Sequence, residues 1–439
     1  VSTIDLNQYL DTPTQLLTPP LNTLLESIGR EEIEAFQLEA VKRKVERQAK
    51  RIPLVREMLE ANRASKFECF DDFAAVLYED GVYKNYDQAW LKDKEFAKLT
   101  RWLDGLTSHD LSGVDMDGCD SLTEWCRRLD EQADIFVCHS TGTSGVLSFV
   151  PRSRADRDLI VDSMVWGNPL LFDPNKNDND VTYFTMHPRR QYRILQALFD
   201  GLEERYLKYP VQAIGDFLSP EFAITQGMLR QAAASGTLDE CYKNPIVAAN
   251  RDAVERYQRE LPQKIKQWTD NLIENYRGKR VFFQGSFDKA WQITQSFRKA
   301  GVTGAFDPDS VFSLVGGVKD GTKLPADWQE QFRQAVGVDA GNMTAGWGMS
   351  ELVASATQVC LHGMHHFYYH SIPFVLEPNT RNPLPRSGVQ TGQLAVLDLN
   401  SEDCWGGIIS GDRGTIQWDS VCSCGREGPL LEAGSVGRL

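Results

Sequence analysis

Ile33, Phe36, Leu38, Val41 and Val45 recur among Glu, Lys and Arg, a partial apolar stripe that predicts one charge-dense surface helix over 30–51. Pro53 suits the first turn of a following helix rather than an interior position. The pattern over 67–130 stays mostly helical, with breaks at Gly81, Gly105, Gly113 and Gly118. From residue 132 the texture changes. Apolar runs at 135–138 and 146–150 predict strands, 153–165 a helix, and 181–186 a further strand. The stretch 200–277 reads as largely helical with a break at Leu261-Pro262, and Gly278 as a helix stop. Strands at 281–284 and 311–315, a helix over 325–336, and strands near 393–399 and 407–417 complete the pattern. This alternation predicts an α/β architecture that is rich in strand toward the C-terminus. A helical part over 1–130 and an α/β core over 131–436, with a helical insertion at about 200–277, are expected to form one compact body. No fixed-period repeat and no low-complexity linker interrupts it.

The chain has 439 residues, two to three times a typical domain, so several packed subdomains are expected. Its net charge of −14 argues against a general nucleic-acid binder, which needs a basic surface to displace counterions. No apolar run reaches the length of a membrane span. Nine cysteines are too sparse for a disulfide scaffold, so a reducing, cytoplasmic setting is expected.

Candidate chemistry begins at Ser140-Thr-Gly-Thr-Ser-Gly145, which packs four hydroxyl residues and two glycines into six positions. Glycines let a backbone approach an oxyanion while N–H and O–H donors converge on it, so the loop suits a phosphate cradle. It suits a polar hairpin turn equally. It is not a P-loop: the glycines stand too close together, no lysine follows, and a strand pattern continues. Dinucleotide and nucleophile-elbow spacings fail as well.

Three more motifs follow in order: His187 within Thr185-Met-His-Pro188, then Trp347-Gly-Met-Ser-Glu351, then Ser410-Gly-Asp412. Together with the loop they resemble the adenylate-forming superfamily of acyl-CoA ligases, luciferases and peptide-synthetase adenylation domains. The resemblance implies a core of two α/β sheets plus a small β-rich subdomain. It also implies ATP and Mg²⁺ as cofactors and an acyl-adenylate as intermediate. Residue by residue, Ser140, Thr141, Gly142, Thr143, Ser144 and Gly145 would hold the β- and γ-phosphates. Trp347 and Gly348 would lie against adenine, with the backbone of Gly316-Gly317 beside it. Ser350 would donate to the α-phosphate, Glu351 would hold Mg²⁺, and Asp412 would accept from the ribose hydroxyls. His187 would be the gate between the ATP and carboxylate pockets.

Within the superfamily, Cys422-Ser-Cys-Gly-Arg426 and Gly363-Met-His365 followed by Glu377-Pro378 resemble the phenylacetate-CoA ligase branch. The run Gly278-Lys-Arg-Val-Phe-Phe-Gln-Gly285 leans toward the acyl-protein synthetases of bacterial fatty-acid reductases. This narrower likeness implies that Cys360, His365, Cys422 and Cys424 converge on a structural Zn²⁺, for which three thiolates and an imidazole are a suitable set. His362, His366 and His370 are rival ligands, and unligated thiols beside an exposed His-rich segment are the alternative. Ser148 stands near the place where many members carry a lysine. The extra length at 200–277 would cover the carboxylate pocket or form a homodimer contact. Gly437-Arg438 resembles the start of the hinge before the family's mobile lid, so the lid and its lysine are expected to be absent.

The expected activity is ATP-dependent activation of a carboxylic acid and transfer of the acyl group to a thiol: coenzyme A, a carrier-protein arm or an enzyme cysteine. Phe282, Phe283 and Phe312 are either lining for an apolar acid or plain core. A non-catalytic nucleotide-binding or assembly protein that keeps the fold is the alternative.

Overall fold

A computed structural model describes residues 4–17, 25, 28–62, 66–140, 145–166, 180–314, 323–360 and 362–439. The chain groups into two compact units, one of residues 1–167 with 348–439 and the other of residues 168–347. Among the described residues no helix is long and apolar enough to cross a membrane.

The first unit opens with helix α1 (Arg30–Ala49), and Pro53 starts α2 (Pro53–Ala61) as its fixed φ favours. The stretch to residue 133 is helical in short pieces: α3 (Gln88–Lys92), α4 (Phe96–Asp104) and α5 (Leu122–Ala133). Two of these carry side-chain caps, Asp87 accepting from the Ala89 N–H and Ser121 from the Glu124 N–H. Strands β1 (Phe136–His139) and β2 (Phe149–Arg152) form an antiparallel hairpin, buried along its whole length, and α6 (Arg154–Trp166) follows.

The second unit is a parallel sheet with its crossover helices. Strands β3 (Thr182–Arg190), β4 (Gln212–Phe217), β5 (Val281–Gly285), β6 (Val311–Leu314) and β7 (Met343–Thr344) lie in the order β4-β3-β5-β6-β7. Between them run α7 (Ile194–Arg205), α8 (Pro220–Ser235), α9 (Leu238–Cys241), α10 (Pro245–Asn275), α11 (Phe287–Lys299) and α12 (Trp328–Val336). Phe283 and Phe312 sit in the core with Phe184, Trp268, Phe297 and Phe332. Phe282 is equally buried and packs on Tyr183. All three are core residues, not an acid-pocket lining. Two details differ from the sequence reading of 200–277. A strand, β4, lies inside it, and α10 runs through Pro262 without a break. A proline inside a helix costs about 3 kcal/mol. Buried Val247 and Val254 before it, and Trp268 and Leu272 after it, hold the helix together across the missing hydrogen bond.

The chain then returns to the first unit as an antiparallel sheet. Strands β8 (Thr357–Val359), β9 (Met364–Phe367), β10 (Ser371–Leu376), β11 (Val389–Asp398), β12 (Gly407–Gln417) and β13 (Leu430–Glu432) take the order β10-β11-β12-β13-β9-β8. The short β14 (Gly437–Arg438) also pairs with β12. The connection from β11 to β12 is buried rather than looped out to solvent. Asn400, Ser401 and Trp405 are fully buried there, and Gly406 takes φ +78° with no room for a Cβ, which would meet the Asp398 carbonyl at 2.7 Å. Helix α1 satisfies this turn. Lys44 Nζ donates to the Ser401 carbonyl, and Gln48 Nε2 to those of Ser401, Glu402 and Cys404 at 2.9, 3.0 and 3.1 Å.

Asp403 anchors the same turn to the rest of the unit. Its carboxylate accepts from Ser108 Oγ at 2.8 Å and from Ser153 Oγ, and it pairs with His109 Nε2 at 3.4 Å. Burial works against ionisation, yet bonds from His109, Ser153 and Ser108 hold this carboxyl well below the usual carboxylate range. Its stabilisation is therefore complete above about pH 4 and is lost progressively as the pH falls below that. Asp403→Asn should cost about 3 kcal/mol in urea unfolding at pH 7. The gap between wild type and variant should narrow as the pH is lowered below about 4. A gap that stays constant down to pH 3 contradicts the assignment.

Candidate nucleotide site and metal centre

In sequence, residues 140–145 lie between β1 and β2. The Ser140 N–H donates to the Ser148 carbonyl at 3.1 Å, and the Ser148 N–H donates to Ser140 Oγ at 3.0 Å. The Ser140 hydroxyl is thus a staple at the loop end of the hairpin as well as a candidate phosphate donor. Ser148 enters this pairing through its backbone N–H and carbonyl. Gly145 takes φ +73°, a conformation glycine adopts without strain. Thr141, Gly142, Thr143 and Ser144 lie outside the described residues.

The segment of Ser350 and Glu351 has its own supports. Gly348 lies so close to the following chain that a Cβ would stand 3.1 Å from Ser355 Cα. Arg152 Nη2 donates to the carbonyls of Ser350 at 2.8 Å and Leu352 at 2.9 Å. The Val353 N–H donates to Asp398 Oδ2 at 3.0 Å. Glu351 itself is partly buried, and among the described residues no lysine or arginine lies within ion-pair distance of it. Burial raises its pKa, against the pull of Arg152, Lys84 and Arg438. A partly desolvated carboxyl without a close cation is a fitting ligand for a hard divalent ion.

Asp412 lies on β12 in the same unit. Its N–H donates to Ser410 Oγ at 3.1 Å, and Ser410 Oγ donates to the Leu394 carbonyl at 2.7 Å. The β12–β14 register sets Asp412 opposite Arg438, whose Nη1 reaches Asp412 Oδ1 at 3.1 Å.

The remaining nucleotide and gate candidates belong to the second unit, a parallel sheet of the kind that binds ligands at the carboxyl ends of its strands. His187 is on β3 at a register shift between Thr185 and Pro188, its N–H donating to Thr185 Oγ1 at 3.2 Å. β3 and β5 are the neighbours between which the strand order reverses. Gly316 and Gly317 come after β6 in the sequence and lie outside the described residues. Trp347 follows β7 and is buried.

The cysteine cluster forms with one exchange of ligand. Donor atoms of Cys360, His366, Cys422 and Cys424 lie within 4.8 Å of one another. His365 is not among them: side chains alternate along β9, and its Nδ1 pairs with Thr357 Oγ1 at 3.0 Å instead. Of the other histidines, His362 is exposed, and His370 is buried against Asp398 at 3.1 Å. The 3.7 Å between the sulfurs of Cys360 and Cys422 is close to the edge of a tetrahedron with Zn–S bonds of about 2.3 Å. Cys424 Sγ and His366 Nε2 stand 3.3 Å apart. Burial, with Arg426 and His365 nearby, lowers the His366 pKa to about 4, so its imidazole is neutral and free to ligate near pH 7. Burial opposes ionisation of Cys360, but N–H groups of His362 and Met364 donate to the sulfur and hold its pKa below the ordinary thiol value.

The sequence matches no protein-family model and none of the curated proteins. Among solved structures, the chain is similar to 2-hydroxyisobutyryl-CoA ligase in an open conformation with 2-HIB-AMP and CoA. That match has a TM-score of 0.53 at 15% identity and covers 94% of this chain and 76% of the ligase. The same ligase in its thioesterification state, again with 2-HIB-AMP and CoA, matches with a TM-score of 0.53 at 14% identity, covering 94% and 69%. The chain therefore shares the fold of this CoA ligase, in line with the resemblance carried by its four ordered motifs.

Proposed function

We propose that this protein is an AMP-forming acid–thiol ligase. A carboxylate oxygen of the substrate attacks the α-phosphorus of ATP, the bond to the bridging oxygen breaks, and pyrophosphate leaves. A thiol sulfur then attacks the acyl carbonyl, loses its proton and expels AMP. The observation that carries this reading is Glu351: a partly buried carboxyl without a close cation, on a pinned turn, in a fold whose solved relative holds an acyl-adenylate.

The first half-reaction brings an anion toward a polyanion, so its barrier is lowered by charge screening and positioning. A Mg²⁺ held by Glu351 would supply that screening when bound. Ser350 would donate its hydroxyl to an α-phosphate oxygen, and the turn 140–145 would hold the outer phosphates through its N–H and O–H groups. Asp412 would accept from the ribose hydroxyls, Trp347 would offer a flat face to adenine, and His187 would separate the nucleotide from the acid. Coenzyme A is the favoured acceptor, because the ligase of similar fold is solved in complex with both 2-HIB-AMP and CoA. Cys360, His366, Cys422 and Cys424 would hold a structural Zn²⁺ that ties β8 and β9 to the segment between β12 and β13.

ATP–pyrophosphate exchange across a panel of aliphatic and aryl acids tests the reading. At least one acid should support exchange and release AMP. ADP as product, or no exchange with any acid, contradicts it. Glu351→Gln should slow exchange about 10²–10³-fold with folding unchanged, and an unaltered rate removes Glu351 from the metal.

Elemental analysis addresses the zinc. Protein purified without added metal should carry about one equivalent, and Cys424→Ser should lower both the content and the unfolding temperature. Less than about half an equivalent in the wild type overturns the zinc assignment.

A further inference from the structure

The turn that carries Ser350 and Glu351 is not part of a strand or helix, so its direction depends on whatever holds its backbone. Two fully buried charged side chains do so. Arg152, the last residue of β2, is 0% exposed and bonds the carbonyls on both sides of Glu351. Asp398, the last residue of β11, is 1% exposed and takes the Val353 N–H. The other oxygen of Asp398 is itself fixed, by His370 Nδ1 at 3.1 Å and the Asn400 N–H at 2.9 Å. Three charge-assisted bonds therefore bracket one side chain.

The arrangement is costly as a device for stability alone. The counter-charge of Arg152 is Asp156, one helical turn along, at 3.6 Å and equally buried. Neither oxygen of Asp156, nor Nε or Nη1 of Arg152, has a hydrogen-bond partner among the described residues. Buried pairs with unsatisfied atoms are often matched or bettered by apolar residues of similar volume. An apolar residue at 152 would leave the Ser350 and Leu352 carbonyls without this donor. Arg152 also pairs with Phe136 in the β1–β2 hairpin, which fixes its own backbone.

We infer that Arg152 and Asp398 are positioning residues for nucleotide activation, a buried clamp that aims Ser350 and Glu351. This rests on the adenylating function proposed above. Neither residue touches nucleotide in this role; both act through the backbone of 350–353. Sequence motifs do not reveal them, because an arginine at the end of one strand and an aspartate at the end of another have no fixed spacing from the turn.

The test compares Arg152→Lys and Asp398→Asn with Gln48→Leu, which loses buried bonds to the 401–404 carbonyls but touches nothing on the 350–353 turn. Pyrophosphate exchange is measured against Mg²⁺, ATP and acid concentration, beside urea unfolding of each variant. The clamp predicts that kcat falls about 10²-fold and that half-saturating Mg²⁺ rises about tenfold in both clamp variants, with the KM for acid unchanged. Gln48→Leu should lose stability and keep both kinetic values. Clamp variants that lose only stability, as Gln48→Leu does, overturn the proposal. If neither clamp variant folds, amide hydrogen exchange in the wild type decides: slow exchange at Val353 supports the clamp, and fast exchange overturns it. Absence of exchange activity in the wild type with every acid overturns the ligase reading and the clamp's role together. That result is distinct from an active wild type with indifferent variants.

Discussion

A backbone that leaves its sheet inside a protein must find partners for N–H and C=O groups that no ladder reaches, and here the partners are buried charges. Arg152 on the Ser350 and Leu352 carbonyls, Asp398 on the Val353 N–H, and Lys44 on the Ser401 carbonyl meet that need. Asp398 stands where the two requirements meet. It ends β11, starts the buried turn toward β12, and holds the neighbouring 350–353 segment. Burial opposes its ionisation, but bonds and charge from His370, the Asn400 N–H and Lys44 keep its pKa below the usual carboxylate range.

These anchors explain why helix α1 looks only partly amphipathic. Its inward face carries Phe36, Ala40, Val41 and Val45, but also Gln37, Lys44 and Gln48. The sequence shows the apolar half of that face and hides the polar half, because a buried lysine cannot be told from a solvated one by pattern. What makes it buried is a set of carbonyls in the turn 398–406, about 350 residues away in the chain. The restart at Pro53, the hairpin strands, β5, β6, β11 and β12 were legible because each has a local cause: a fixed φ, a run of apolar residues, or a glycine stop. Strand β4 was not, since as the edge of the sheet it buries little along its length. Pro262 shows the reverse: a strong local signal overridden by packing on both sides.

The candidate site divides in the same way. Motif residues with a specific spacing, from Trp347 to Glu351 and from Ser410 to Asp412, could be named from the sequence. Their supports could not. The cysteine cluster misled by a single residue: two adjacent histidines on β9 point to opposite faces, and only the pairing of β9 with β8 and β13 decides which one meets the sulfurs. In the parallel-sheet unit the placement is topological: His187 lies within β3, beside the point where the strand order reverses, and Trp347 lies beyond the carboxyl end of β7, the side on which open α/β sheets bind ligands.

The most direct measurement is a crystal structure of the protein with Mg²⁺ and a non-hydrolysable ATP analogue. The account predicts the outer phosphates on the 140–145 turn and a divalent ion on a Glu351 carboxylate oxygen. Ribose hydroxyls should lie on Asp412, and the bonds from Arg152 to the Ser350 and Leu352 carbonyls should be intact. Nucleotide bound away from that turn, or a metal ion held without Glu351, would contradict it.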